Sequence, residues 1–188
     1  AIHPPQNEIN TLIELYTKGQ LTKGEQHCRE LLYSYPESLL VFNILGAILK
    51  GQGKFLEALQ IFDEALKLEP SHPETYCNRG TVLQDLGSIE LAVISYDKAI
   101  QLKPDYAEAF YNRGVAYKEL ELLEKAVKSY DMAIQLKPDY VDAYNNRGVT
   151  LQDLEHWEQA VKSYDMAIQL KPDYAEAYFN RGNALLQD

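Results

Sequence analysis

The sequence predicts an all-α protein built as a solenoid of antiparallel helix pairs, and three observations carry that prediction. Prolines stand at Pro36, Pro70, Pro104, Pro138 and Pro172, each 34 residues after the one before. Glycines at Gly46, Gly80, Gly114, Gly148 and Gly182 and alanines at Ala58, Ala92, Ala126 and Ala160 keep the same period. Between these marks, apolar residues recur at i, i+3, i+4 and i+7 through two segments of about a dozen residues per period, the pattern of two amphipathic helices. A period of this length marks units that cannot bury their apolar faces alone and must stack on neighbours.

Taken in order, the chain reads as a single repeat domain over 1–188. A divergent unit at 5–38 has Leu12, Gly24, Cys28 and Leu31 at the positions of the glycine, the first alanine, the aromatic and the second alanine. Full units follow at 39–72, 73–106, 107–140 and 141–174, and "AEAYFNRGNALLQD" at 175–188 supplies the first helix of a truncated repeat. Phe42, Tyr76, Phe110, Tyr144 and Tyr178 stand four residues before each glycine, and Phe62, Tyr96, Tyr130 and Tyr164 four after each alanine. Small residues are expected where the two helices of a pair come closest, with the aromatics filling the space between them. The prolines end each second helix, because proline cannot continue it and biases the preceding residue away from the α region. "AVKSYDMAIQLKPDY" occurs at 126–140 and again, unchanged, at 160–174, as expected of second helices that present one face to the same kind of successor.

This order of glycine, alanine, aromatic and proline resembles the tetratricopeptide repeat. The resemblance covers nearly the whole chain and implies a right-handed superhelix with first helices lining its concave face. Asp105, Asp139, Asp173 and Ser71 precede Glu108, Asp142, Glu176 and Glu74 by three residues, the spacing of capping boxes at the start of first helices. At the turn inside each pair, Gly53 and Gly87 match the family's usual glycine, whereas Glu121 and Glu155 replace it and would be strained if the backbone is left-handed there. Asp63, Asp97, Asp131 and Asp165 each lie sixteen residues before Arg79, Arg113, Arg147 and Arg181. Where Leu45 takes the arginine's place, Arg29 takes the aspartate's. This joint appearance and loss predicts a bridge from one unit's second helix to the next unit's first, against the alternative of independent solvated charges.

Function is to be sought on the first helices. Asn78, Asn112, Asn146 and Asn180 form a column at the sixth position, broken in the first full unit by Ile44. An amide donates and accepts at once, so such a column suits the main chain of an extended peptide whatever its side chains. The column resembles the asparagine ladder in the repeat region of O-GlcNAc transferases; asparagine is also common there across the family, so a framework role stands beside the binding one. The fifth position varies (Asn43, Cys77, Tyr111, Asn145, Phe179), and Tyr111, Asn145 and Phe179 join the column as candidate peptide contacts, surface drift being the alternative. The basic set with which some family members grip acidic chaperone tails is missing, and Glu74, Glu108, Asp142 and Glu176 at the second position favour neutral or basic segments over acidic ones.

Composition narrows the function classes. The 188 residues carry 18 Lys and Arg against 28 Asp and Glu, a net charge of −10, which opposes binding to nucleic acid and to anionic lipid. A mean hydropathy of −0.36 predicts a water-soluble chain, and no apolar run is long enough to span a membrane. Cys28, Cys77 and the four histidines have no metal-ligand spacing, and no nucleophile or phosphate-loop motif occurs, so neither an enzyme, a metal nor a cofactor is expected. The leading expectation is a non-catalytic protein–protein interaction scaffold that holds an extended segment in its concave groove. One alternative is the substrate-targeting arm of a larger transferase, since the N-terminal stretch resembles bacterial proteins in which such repeats precede that domain. Another is end-to-end self-association through the unpaired last helix. Ala1 in place of a starting Met suggests a trimmed chain, with a cytoplasmic location expected.

Overall fold

A computed structural model describes residues 3–187; Ala1, Ile2 and Asp188, which bound the repeat region read from the sequence, lie outside the described residues. Among the described residues there are eleven α-helices and no strand, α1 (Gln6–Thr17), α2 (Leu21–Ser34), α3 (Leu39–Gly51), α4 (Phe55–Leu68), α5 (Pro73–Asp85), α6 (Ile89–Leu102), α7 (Ala107–Glu119), α8 (Leu123–Leu136), α9 (Val141–Asp153), α10 (Trp157–Leu170) and α11 (Ala175–Leu185). They form an α solenoid of helix pairs, divided into two compact units, Ala1–Leu102 and Lys103–Asp188. In the first unit α3 packs on α2, α4, α1 and α5; in the second α9 packs on α8, α10, α7 and α11. Within each unit the odd-numbered helices thus lie beside one another, and α2, α4, α8 and α10 are each wedged between their own partner and the next first helix.

The pairs close on glycine. A Cβ added to Gly80 would stand 2.5 Å from Cε1 of Tyr96, one added to Gly114 2.7 Å from Cε1 of Tyr130, and one added to Gly148 2.6 Å from Cε1 of Tyr164. The aromatic ring of the second helix therefore lies directly on the backbone of the first, and those three tyrosines are among the most completely buried side chains. The divergent unit makes the same closure with other side chains: Leu12 and Cys28 are fully buried, and Gly24 admits Ile48. Burial pushes the Cys28 thiol up to about 12, so it stays protonated and serves as a small core residue.

All five turns within pairs share one geometry. Gly19, Gly53, Gly87, Glu121 and Glu155 have φ of 68°, 74°, 76°, 58° and 59°. At each, the N–H of the following residue reaches back five residues to a helix carbonyl, as from Leu122 to Tyr117 (2.9 Å) and from His156 to Leu151 (2.8 Å). Glutamate at a left-handed position brings its Cβ against its own carbonyl. Nothing lies within 4 Å of the place a Cβ would take at Gly53 or Gly87, so the strain is local to the backbone. Glu121→Gly and Glu155→Gly should each raise the unfolding free energy by about 1 kcal/mol; a urea midpoint unchanged or lowered by the double variant would refute this.

The capping boxes are not formed. The first residue outside each helix is Tyr106, Tyr140 or Tyr174, one later than the spacing suggests, and none makes a side-chain cap. The reason lies in the connection: Tyr106 N–H bonds to Lys103 O (3.1 Å), a tight turn that keeps Asp105 outside the helix and moves Glu108 from the third helical position to the second. The lysine of each Lys-Pro-Asp-Tyr turn stands over its tyrosine ring, at 4.6 Å for Lys137 and Tyr140 and 5.0 Å for Lys171 and Tyr174. At α5 the cap is His72, whose Nδ1 accepts from Thr75 N–H (3.3 Å), and Ser71 instead donates its own N–H to Glu69.

The aspartate–arginine bridges are present in the pairs that lie within one unit. Nε of Arg79, Arg147 and Arg181 donates to Oδ1 of Asp63, Asp131 and Asp165 at 2.6, 2.5 and 2.5 Å. A third member was not anticipated. NH1 of Arg79 and Arg147 donates to Oγ of the buried Ser95 and Ser163 (2.8 and 2.7 Å), and Nε of Arg113 to Ser129 Oγ (3.1 Å). Each serine stands sixteen residues after its arginine, so the signal was in the sequence; Ile61 occupies the place sixteen after Leu45.

Candidate functional site

The candidate contacts fall in both units. In the first, Asn78 on α5 lines a hollow of about 240 Å³ together with Ile13, Tyr16, Asn43, Ile44 and Ala47 from α1 and α3. Its side-chain amide makes no hydrogen bond among the described residues. Asn43 is committed to the framework, donating to Leu39 O (3.0 Å) and accepting from Thr75 Oγ1 (2.9 Å).

The second unit brings Tyr111, Asn112, Asn145, Asn146, Phe179 and Asn180 onto α7, α9 and α11. Asn146 Nδ2 donates to the Tyr111 hydroxyl (2.9 Å), which leaves its Oδ1 and one N–H unused. Tyr111 is half-buried, its ring centroid 4.8 Å from that of Tyr140 and 5.9 Å from that of Tyr130. Asn145 behaves differently from its neighbours. It is only 1% exposed, donates through Nδ2 to Glu176 Oε1 (3.0 Å) and accepts a long bond from Asn180 Nδ2 (3.5 Å). Asn145 therefore joins α9 to the first turn of α11, much as Asn43 joins α3 to α5. Asn112 and Asn180 are half-buried, whereas Phe179 is 68% exposed.

Tyr140, Tyr174, Asp142 and Glu176 complete this surroundings. The Tyr174 hydroxyl donates to Asp142 Oδ1 (3.4 Å). Burial, followed by the charges of Glu176 and Asp142, holds the Tyr174 phenol up at about 12; burial and Asp142 likewise raise Tyr111. Both remain protonated donors at neutral pH. The tyrosines at 140 and 174 are visible in the sequence as the last letter of a repeated Lys-Pro-Asp-Tyr, but only the packing of Tyr140 on Tyr111 and the bond from Tyr174 to Asp142 reveal a place at the site.

No cluster of His, Cys, Asp and Glu able to hold a metal occurs among the described residues, and no helix is long and apolar enough to cross a membrane. Among protein families, models described as TPR repeat match residues 82–121 and 151–188, and models described as tetratricopeptide repeat match 107–140 and 41–72. The chain belongs to the tetratricopeptide-repeat family. All the matching models are of repeats, and none describes an enzyme. No curated protein matches the chain significantly. Solved tetratricopeptide-repeat structures share the fold at low identity. A thermophilic TPR protein of Thermus thermophilus is 20% identical with a TM-score of 0.78, covering 96% of this chain and 98% of its own. YrrB, a TPR protein with an unusual peptide-binding site, is 23% identical with a TM-score of 0.73, covering 93% and 90%. The first TPR of Spaghetti (RPAP3), bound to the HSP90 peptide SRMEEVD, is 24% identical with a TM-score of 0.60, covering 61% and 90%.

Proposed function

We propose that the protein is a non-catalytic protein-interaction scaffold that holds an extended segment of another protein along its first helices. The observation that carries this reading is the asparagine at one position of α5, α7, α9 and α11, half-buried each time, while the fifth position beside it changes. Asn78, Asn112, Asn146 and Asn180 bond the main chain of the segment, whose side chains are then loosely specified. Tyr111 and Phe179 offer rings to those side chains, and Asn145 contributes by fixing Asn180 and Glu176 rather than by contact. Solved members of the family that hold peptides support a peptide partner. The acidic peptide of the RPAP3 complex is not the model for this chain, whose first-turn residues Glu108, Asp142 and Glu176 would repel it. In a longer protein the same face would serve as a targeting arm for an attached transferase domain.

The test is binding of fluorescent extended peptides, acidic, neutral and basic, to the wild type and to Asn112→Ala/Asn146→Ala. Neutral and basic peptides should bind, and the double variant should weaken all of them alike, by about tenfold or more for two lost hydrogen-bonding amides. Equal binding by the variant would make the asparagines framework. If no peptide binds, self-association takes precedence, favoured by the exposure of Tyr178, Phe179, Leu185 and Leu186 on and just beyond α11.

A further inference from the structure

Three departures from the repeat pattern meet at one place in the first unit. Ile44 stands where α5, α7, α9 and α11 carry an asparagine. Tyr16 stands where the later first helices have Lys50, Gln84, Lys118 and Gln152. Ala47 is the smallest side chain at its position, which is otherwise Ile13, Thr81, Val115, Val149 or Asn183. Ile13, Tyr16, Ile44 and Ala47 wall the hollow of about 240 Å³ formed by α1, α3 and α5, and Asn43 and Asn78 complete its lining. The short side chain of Ala47 leaves the space among them unfilled. Ile44 packs against the core of the first unit, yet Ile13 and Tyr16 remain 49% and 46% exposed, so these apolar walls are not consumed by the fold. None of the six lining side chains carries a charge. Asn43 is already bonded to Leu39 O and Thr75 Oγ1, whereas the Asn78 amide has no hydrogen bond among the described residues.

We propose that this hollow is a subsite for one leucine-sized aliphatic side chain of the bound segment, whose main chain Asn78 holds beside it. The volume is several times the share of one water in the liquid, about 30 Å³, and suits a side chain rather than a single solvent molecule. A charged side chain would lose its hydration here with no partner to replace it. An aliphatic one removes from water both its own surface and that of Ile13, Tyr16 and Ile44. Apolar walls with one uncommitted amide fix the fit and the orientation of a ligand together. Because Asn78 belongs to the amide column as well as to the hollow, the side-chain contact and the main-chain contact share a residue. The inference rests on the peptide-binding reading above and assigns it an anchor residue.

The experiment compares two fluorescent nonapeptides of alanine and serine, one with a central leucine and one with a central alanine. Each is titrated against the wild type, Ala47→Leu, which fills the hollow, and Ile13→Ser, which removes an exposed wall, with melting temperatures taken alongside to confirm folding. The wild type should favour leucine over alanine by about tenfold, at low and high salt alike. In folded Ala47→Leu the ratio should fall to near one, and in Ile13→Ser to an intermediate value. Asn112→Ala/Asn146→Ala should weaken both peptides and keep the ratio. Equal binding of the two peptides to the wild type would overturn the subsite and leave main-chain binding intact. A leucine preference that survives in Ala47→Leu would place the anchor elsewhere and also overturn the proposal. Self-association of the wild type that Ala47→Leu abolishes, read by sedimentation, would seat a second copy in the hollow and overturn it too. Binding of neither peptide would remove the parent reading and the subsite with it.

Discussion

Gly148→Ala should lower the stability of the second unit by about 3 kcal/mol, whereas Gly182→Ala, at the equivalent place one period later, should raise it by about 1 kcal/mol. The two substitutions add the same methyl group to the same motif position. At Gly148 the new Cβ meets three carbons of the Tyr164 ring at 2.6 to 2.9 Å, and that ring is fully buried with its hydroxyl bonded to Gln152 Oε1 (2.9 Å). Relief requires the ring to leave its pocket or α9 to move off α10, and either loses packing on both sides. At Gly182 nothing lies within 4 Å, so only the intrinsic preference of a helix for alanine remains. Urea unfolding followed by Trp157, the one tryptophan, at the start of α10, reads both variants. Shifts of the same sign would show that the aromatic ring does not set the glycine requirement.

Arg147→Met should cost about 2 kcal/mol, split between two partners of different character. The bridge to Asp131 joins groups 25% and 49% exposed, so it is screened by solvent and worth less than its 2.5 Å separation suggests. The bond to Ser163 Oγ is buried, and losing it leaves that hydroxyl only its donation to Gln159 O (3.0 Å). Double-mutant cycles should therefore find couplings of about 0.5 to 1 kcal/mol with both Asp131→Asn and Ser163→Ala. Raising the salt concentration should shrink the first and leave the second. A zero coupling with Asp131 would reduce the aspartate–arginine spacing to a coincidence of solvated faces. The first full unit shows an apolar solution to the same seam: Leu45, in the arginine's place, is fully buried, and Arg29, in the aspartate's, pairs with Glu25 (2.9 Å) and Glu57 (3.3 Å) instead.

Much of this molecule is determined by the sequence alone. Helix pairs, the glycine under each aromatic ring, the strained glutamates at 121 and 155 and the arginine bridges within each unit all follow from spacings within 34 residues, because each helix packs on its immediate neighbours. Local periodicity and nearest-neighbour packing are then nearly the same information. The tertiary structure decided what depends on the rotation of one first helix against the next. A one-residue shift in the Lys-Pro-Asp-Tyr turn moved Asp142 and Glu176 out of the expected caps and into bonds with Tyr174 and Asn145. Asn145, one residue before the half-buried Asn146, rotates by about 100° into the seam and becomes buried framework. Contacts 31 to 35 positions apart, from Asn145 to Glu176 and from Tyr111 to Asn146, join side chains whose helices each satisfy their own backbone hydrogen bonds. Nothing local to either helix specifies such a meeting; it arises only when the helices are laid side by side.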